Sequence, residues 1–159
     1  MFNMSNIGEG LSRTWESVSH GWNQLMNRAS QALTHFSRKN DEQDLAVLKS
    51  PNWGLMSAEV FDDNDKVVVR LEVPGMNADD FDVSVIDNVL MISGEKRFER
   101  ENSEGNYRVL ERAYGHFSRS IPLGYEVEAD SADATYKNGV LRLELKKKPE
   151  QRRRQITVN

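Results

Sequence analysis

Two hydrophobic rhythms divide the chain. From Leu11 to Phe36 the apolar residues Leu11, Trp15, Val18, Trp22, Leu25, Ala29, Ala32 and Phe36 step by 4, 3, 4, 3, 4, 3 and 4 positions. That heptad seam predicts a helix with one apolar face. Gly21 in its middle costs such a helix up to ~1 kcal/mol relative to alanine. From residue 53 the period drops to two. Val67, Val69, Leu71 and Val73 alternate with Val68, Arg70 and Glu72, and Phe81, Val83 and Val85 alternate with Asp80, Asp82, Ser84 and Ile86. Leu90 with Ile92, Phe117 with Ile121 (Arg119 on the same face), and Leu141, Leu143 and Leu145 continue the pattern. These are short, half-buried antiparallel strands. Pro74-Gly75, Asp87-Asn88 and Asn138-Gly139 punctuate them. Asn138-Gly139 predicts a tight hairpin, because that dipeptide accepts positive φ at both turn positions. No helical pattern of 10–15 residues interrupts the strands, so the expected fold is an all-β, immunoglobulin-like antiparallel sandwich.

The pattern sets four segments. Residues 1–40 form an amphipathic N-terminal segment, helical or disordered. Residues 41–52, opening Asp41-Glu42-Gln43-Asp44 and closing Ser50-Pro51-Asn52, read as a linker with a small apolar patch at Leu45, Val47 and Leu48. Residues 53–148 make the sandwich, and 149–159 a flexible C-terminal extension. Inside the sandwich, residues 95–114 hold ten charged side chains in twenty, a long stretch for a compact domain. Tyr107, Val109 and Leu110 within it have strand character. A strand on such an arm can pair with a neighbouring molecule's sheet edge.

Charge sharpens the division. The whole chain of 159 residues carries a net −4, but residues 1–40 carry +2 and the remaining 119 carry −6. The balance argues against nucleic acid as a partner. The N-terminal face reads as a core helix or as a sticky helix, exposed or buried in an oligomer. An organelle transit peptide or a membrane-surface helix is the lesser reading. Six of the nine residues 146–154 are basic, which reads as a solvated spacer, a contact with nucleic acid or an acidic partner being the lesser reading. It ends in Ile156-Thr157-Val158, two β-branched side chains that point the same way from an extended strand. Docking in a groove on another chain would bury them.

Candidate chemistry is sparse. There is no cysteine, which removes disulfides and thiolate chemistry and favours a reducing, cytoplasmic setting. No apolar run approaches the roughly 20 residues of a membrane span, and no secretory signal stands at the start. Gly8 and Gly10 lack the rest of a phosphate-binding loop. His20, His35 and His116 lack metal-ligand spacing. The acids at Asp62-Asp63, Asp65 and Asp79-Asp80 read as solvated turn residues. No Gly-x-Ser-x-Gly elbow occurs. No catalytic residue, cofactor or metal is expected.

Ala134-Thr135-Tyr136-Lys137-Asn138-Gly139-Val140-Leu141 resembles the A-x-x-x-N-G-V-L hairpin of the small heat-shock proteins, the α-crystallin-type chaperones. Val73-Pro74-Gly75, the run from Asp87 to Glu95, Gly115-His116-Phe117-Ser118-Arg119 and the final Ile156-Thr157-Val158 are similar to further motifs of that family, in its order. Two departures are Pro122 before Leu123, where Leu-Pro is common, and Val158 in place of a second Ile. The resemblance implies an ATP-independent holdase that keeps partly unfolded clients soluble and passes them to ATP-driven chaperones. It implies a dimer built by strand exchange through Tyr107, Val109 and Leu110, with Arg119 at or near the interface, and larger homo-oligomers. Ile156 and Val158 would anchor these in a groove lined by Val83, Val85, Ala132 and Ala134. Clients would meet Leu11, Trp15, Val18, Trp22, Leu25, Met26, Leu33 and Phe36. Two alternatives are a monomeric co-chaperone or adaptor with the same sandwich, and a membrane-surface stress protein.

Overall fold

The computed structural model describes residues 18, 20–27, 29–38, 45–101, 104–152 and 156–158. It divides into two compact units, Met1–Leu33 and Thr34–Asn159. In the first, residues 20–27 and 29–32 are helical. The predicted seam therefore stops four residues before Phe36.

The second unit is the expected all-β sandwich. Its strands are β1 (Leu33–His35, beginning one residue before the unit), β2 (Trp53–Leu55), β3 (Ala58–Asp62), β4 (Lys66–Glu72), β5 (Phe81–Ile86), β6 (Val89–Lys96), β7 (Gly115–Pro122), β8 (Asp133–Lys137) and β9 (Val140–Lys146). One sheet has the order β3-β4-β9-β8, the other β5-β6-β7, and β1 pairs with β2. All pairings in the two larger sheets are antiparallel.

Register explains the core. Across β4 and β9, Val67 faces Leu145, Val69 faces Leu143 and Leu71 faces Leu141, and all six are buried. In the other sheet Val85–Leu90–Ile121 and Val83–Ile92–Arg119 form cross-strand rows. Such directly opposed pairs are the unit of sheet stability. The polar face of the larger sheet carries ion pairs instead: Glu144 accepts from Lys66 at 2.9 Å and from Arg142 at 2.8 Å. Those cations hold its carboxyl below the usual range. The β8–β9 hairpin turns at Asn138 (φ 53°) and Gly139 (φ 77°), the positive-φ pair that the dipeptide favours.

Phe36 and its neighbours belong to this unit. Phe36 is 3% exposed and its ring centre lies 5.6 Å from that of Phe117. Its N–H donates to the Asn52 carbonyl at 2.7 Å, while Ser37 and His116 exchange backbone hydrogen bonds at 2.8 and 2.7 Å. This bridge covers the edge of β7. The approach is close enough that a Cβ on Gly115 would stand 2.2 Å from the Ser37 carbonyl oxygen. Part of the expected linker is folded too: α1 (Leu45–Lys49) buries Val47, and the Arg38 guanidinium donates to the Ser50 carbonyl.

Candidate functional site

The N-terminal face comes first. Val18, Trp22, Leu25, Met26 and Leu33 are all exposed. Val18, Trp22 and Leu25 keep the 4, 3 spacing that puts them on one side of a helix. Leu11 and Trp15 lie outside the described residues. Phe36 does not share this exposed face. Its ring gains more from the sandwich core, where full burial of such a side chain is worth about 1.5–3 kcal/mol, than from one more turn of a solvated helix.

The second element is a pair of sheet edges. β5 ends the three-stranded sheet and β8 ends the four-stranded one. Val83 and Val85 are half-buried on the inner side of β5, and Ala132 and Ala134 are exposed on and before β8. At one end the two edges touch: the rings of Phe81 and Tyr136 stand 5.1 Å apart, and the Tyr136 hydroxyl donates to the Val73 carbonyl at 3.0 Å. Ala134 stands opposite Leu143 across β8 and β9.

The third element is the segment between β6 and β7. Tyr107 and Val109 are exposed, Leu110 is half-buried, and none of them is in a strand. Phe98 packs edge-on against Tyr107 (5.7 Å) and Tyr114 (5.1 Å), and the Arg112 guanidinium lies 5.2 Å from the centre of the Tyr114 ring. A cavity of about 380 Å³ at the base of this arm is lined by both signs of charge, including Asp80, Arg97, Glu99 and Arg112. Arg119, opposite Ile92 on the inner face, is partly desolvated, and that burial lowers its pKa. At the far side of the sandwich β3 is an edge strand exposed at all five residues, with Val60 and Phe61 among them.

The tail differs from a fully solvated spacer. Lys147 is 4% exposed. It forms an ion pair with Asp62, and its ammonium sits 3.8 Å from the centre of the Tyr125 ring. Asp62 is therefore a partnered acid and not only a solvated turn residue. Its carboxyl is held below the usual range, first by Lys147 and then by the Tyr125 hydroxyl. Sequence reasoning missed this cluster, since its members are far apart along the chain. Past it, Ile156 and Val158 are 84% and 90% exposed.

Among the described residues no group of three or more His, Cys, Asp or Glu side chains is placed to hold a metal ion. None of the described helices is long and apolar enough to cross a membrane.

The Hsp20/alpha crystallin family model matches residues 59–159. Heat shock protein 16 of Schizosaccharomyces pombe is 38% identical over 105 residues, which cover 64% of this chain and 73% of that protein. Small heat shock protein C2 of Rickettsia felis is 36% identical over 90 residues, 57% of this chain and 58% of that protein. The chain thus spans about three fifths of the length of this rickettsial relative. Among solved structures, heat shock protein 16.0 from Schizosaccharomyces pombe superposes with a TM-score of 0.55 at 37% identity, covering 65% of this chain and 97% of that one. A small heat-shock protein from Xylella fastidiosa, described as having a distinct high order structure, gives 0.53 at 25% identity, covering 67% and 97%. The strand order, the Asn-Gly hairpin and these matches agree: the chain belongs to the Hsp20/alpha crystallin family, the small heat-shock proteins.

Proposed function

We propose that the chain is an ATP-independent holdase: it binds partly unfolded proteins under stress, keeps them in solution, and releases them to ATP-driven chaperones. A cytoplasmic setting belongs to the same reading. The observation that carries it is the exposed row Val18, Trp22, Leu25 and Met26, attached to a unit whose surface is rich in charge. Trapping unrelated clients needs apolar surface that adapts. Trp supplies large area at small entropic cost, and Met supplies flexibility. Solubility of the resulting complex needs net charge.

Assembly follows from the edges. The arm carrying Tyr107, Val109 and Leu110 pairs with a second subunit, and β3 is the acceptor, because it is an exposed edge strand with unpaired backbone groups on one side. Arg119 lies near that interface. Ile156 and Val158 dock between β5 and β8 of another subunit, against Val83, Val85, Ala132 and Ala134. Isolated, those two side chains have nearly full solvent exposure, and burial is what they would gain. The test is co-elution: a client heated with the protein, without nucleotide, should leave a size-exclusion column in one soluble complex with it. A client that pellets while the protein elutes at its unheated position would contradict the reading.

A further inference from the structure

The basic run that leaves β9 is clamped before it becomes a tether. The Lys147 side chain lies between the Tyr125 ring and the Asp62 carboxylate, and the Tyr125 hydroxyl donates to that same carboxylate at 2.8 Å. The backbone is held as well. The Lys147 N–H donates to the Asp65 carbonyl at 2.8 Å, and the Lys148 N–H to the Glu126 carbonyl at 3.0 Å. Further out, the Lys148 ammonium meets the Glu126 carboxylate at 2.9 Å. The Arg152 guanidinium donates to the Lys147 carbonyl at 3.0 Å and reaches the Glu128 carboxylate at 3.4 Å. A buried lysine with both a carboxylate and an aromatic face is a built feature, and its partners come from the end of β3 and the loop before β8.

We propose that Asp62, Tyr125 and Lys147 are positioning residues for the C-terminal anchor: they fix the tail's point of departure at Arg152 and so decide which neighbouring groove Ile156 and Val158 can reach. The proposal rests on the anchor reading above and adds a geometric constraint to it. With the clamp closed, four Cα steps separate Arg152 from Ile156, a reach of roughly 13–14 Å. With it open, ten steps run from Lys146, roughly 33–36 Å. A short tether admits grooves at one separation, whereas a long one admits several, because linker length sets which sites can be engaged together. Asp62 is the last residue of β3. The clamp therefore joins the edge offered to one partner with the tail offered to another.

The test compares Lys147→Met, which keeps the buried stem and removes the ammonium, with wild type and with the anchor variant Ile156→Ala/Val158→Ala. Two readouts are taken, amide hydrogen exchange and the subunit distribution by native mass spectrometry. In Lys147→Met the amides of Lys147 and Lys148 should exchange about tenfold faster or more while those of Leu141 and Leu143 keep their protection. Its assemblies should spread over more sizes than wild type. The anchor variant should instead shrink toward dimers with tail exchange unchanged. Fast tail exchange with a wild-type distribution would overturn the proposal, as would tail exchange equal to wild type. Collapse of Lys147→Met to dimers would overturn it too, by making the cluster part of docking itself. A wild-type distribution in the anchor variant would overturn the anchor reading, and the proposal with it. If Lys147→Met does not fold, Tyr125→Phe, which keeps the ring and removes the hydroxyl, carries the same comparison.

Discussion

Replacing both Ile156 and Val158 with alanine separates the anchor from the fold. The two side chains are 84% and 90% exposed, so truncation removes almost no contact inside the subunit. The thermal melt of the sandwich should stay within about 0.5 kcal/mol of wild type. Docking changes the arithmetic. The double substitution removes five carbon atoms, and at about 0.8 kcal/mol for each buried methylene-sized group that is ~4 kcal/mol per fully docked anchor. Since about 1.4 kcal/mol is tenfold in an equilibrium constant, each such contact weakens roughly a thousandfold. Sedimentation velocity at micromolar concentration should show assemblies falling toward dimers. A wild-type sedimentation profile together with an unchanged melt would rule out docking of Ile156 and Val158, because it would leave the exposed pair without an energetic role.

Three further outcomes follow from named contacts. Phe36→Ala should lower the stability of the sandwich by about 3–5 kcal/mol in urea melts, the usual cost of emptying a buried phenylalanine site. A loss below about 1 kcal/mol would mean the segment around Phe36 is only loosely attached. Deleting residues 97–111 leaves Arg112–Tyr114 as a three-residue connection between β6 and β7, a length that closes hairpins well. The product should keep the sandwich's circular dichroism and elute as a monomer, and a dimer at the same concentration would refute strand exchange. The Asp62 carboxyl, held below its ordinary value of 3.8 by Lys147 and the Tyr125 hydroxyl, stabilises the clamp at and above that ordinary value and stops doing so as pH falls through the depressed one. Exchange at the Lys147 and Lys148 amides should accelerate only in strong acid, and Asp62→Asn should abolish that acid dependence.

The strands with one wet and one dry face were legible in the sequence. β5 and β9 alternate because one side of each meets the core, β4 does so except at Val68, which is buried on the other side, and Asn138-Gly139 marked its hairpin because few dipeptides accept two positive φ values. β3 was not marked, for the opposite reason: all five of its residues are exposed, so no alternation is imposed on Ala58-Glu59-Val60-Phe61-Asp62. Phe36 kept helical spacing with Ala32 yet sits in the sandwich. Spacing records where a helix could place a ring, while the pocket beside Gly54, Ala113 and Phe117 is made by residues distant in sequence. Lys147 looked like one more charge in a solvated run, and its burial depends on Asp62, 85 positions away. Pairing at that range leaves no local signature.

The most direct test of the holdase account is light scattering from a heat-labile client, with no nucleotide present, in the presence of the full chain or of Trp15→Ser/Trp22→Ser. The full chain should suppress scattering at near-stoichiometric ratios. The double variant, with its sandwich melt unchanged by Trp53 fluorescence, should protect markedly less. Scattering as high with the full chain as without it would contradict the holdase function, and equal protection by the double variant would move client binding away from the N-terminal face.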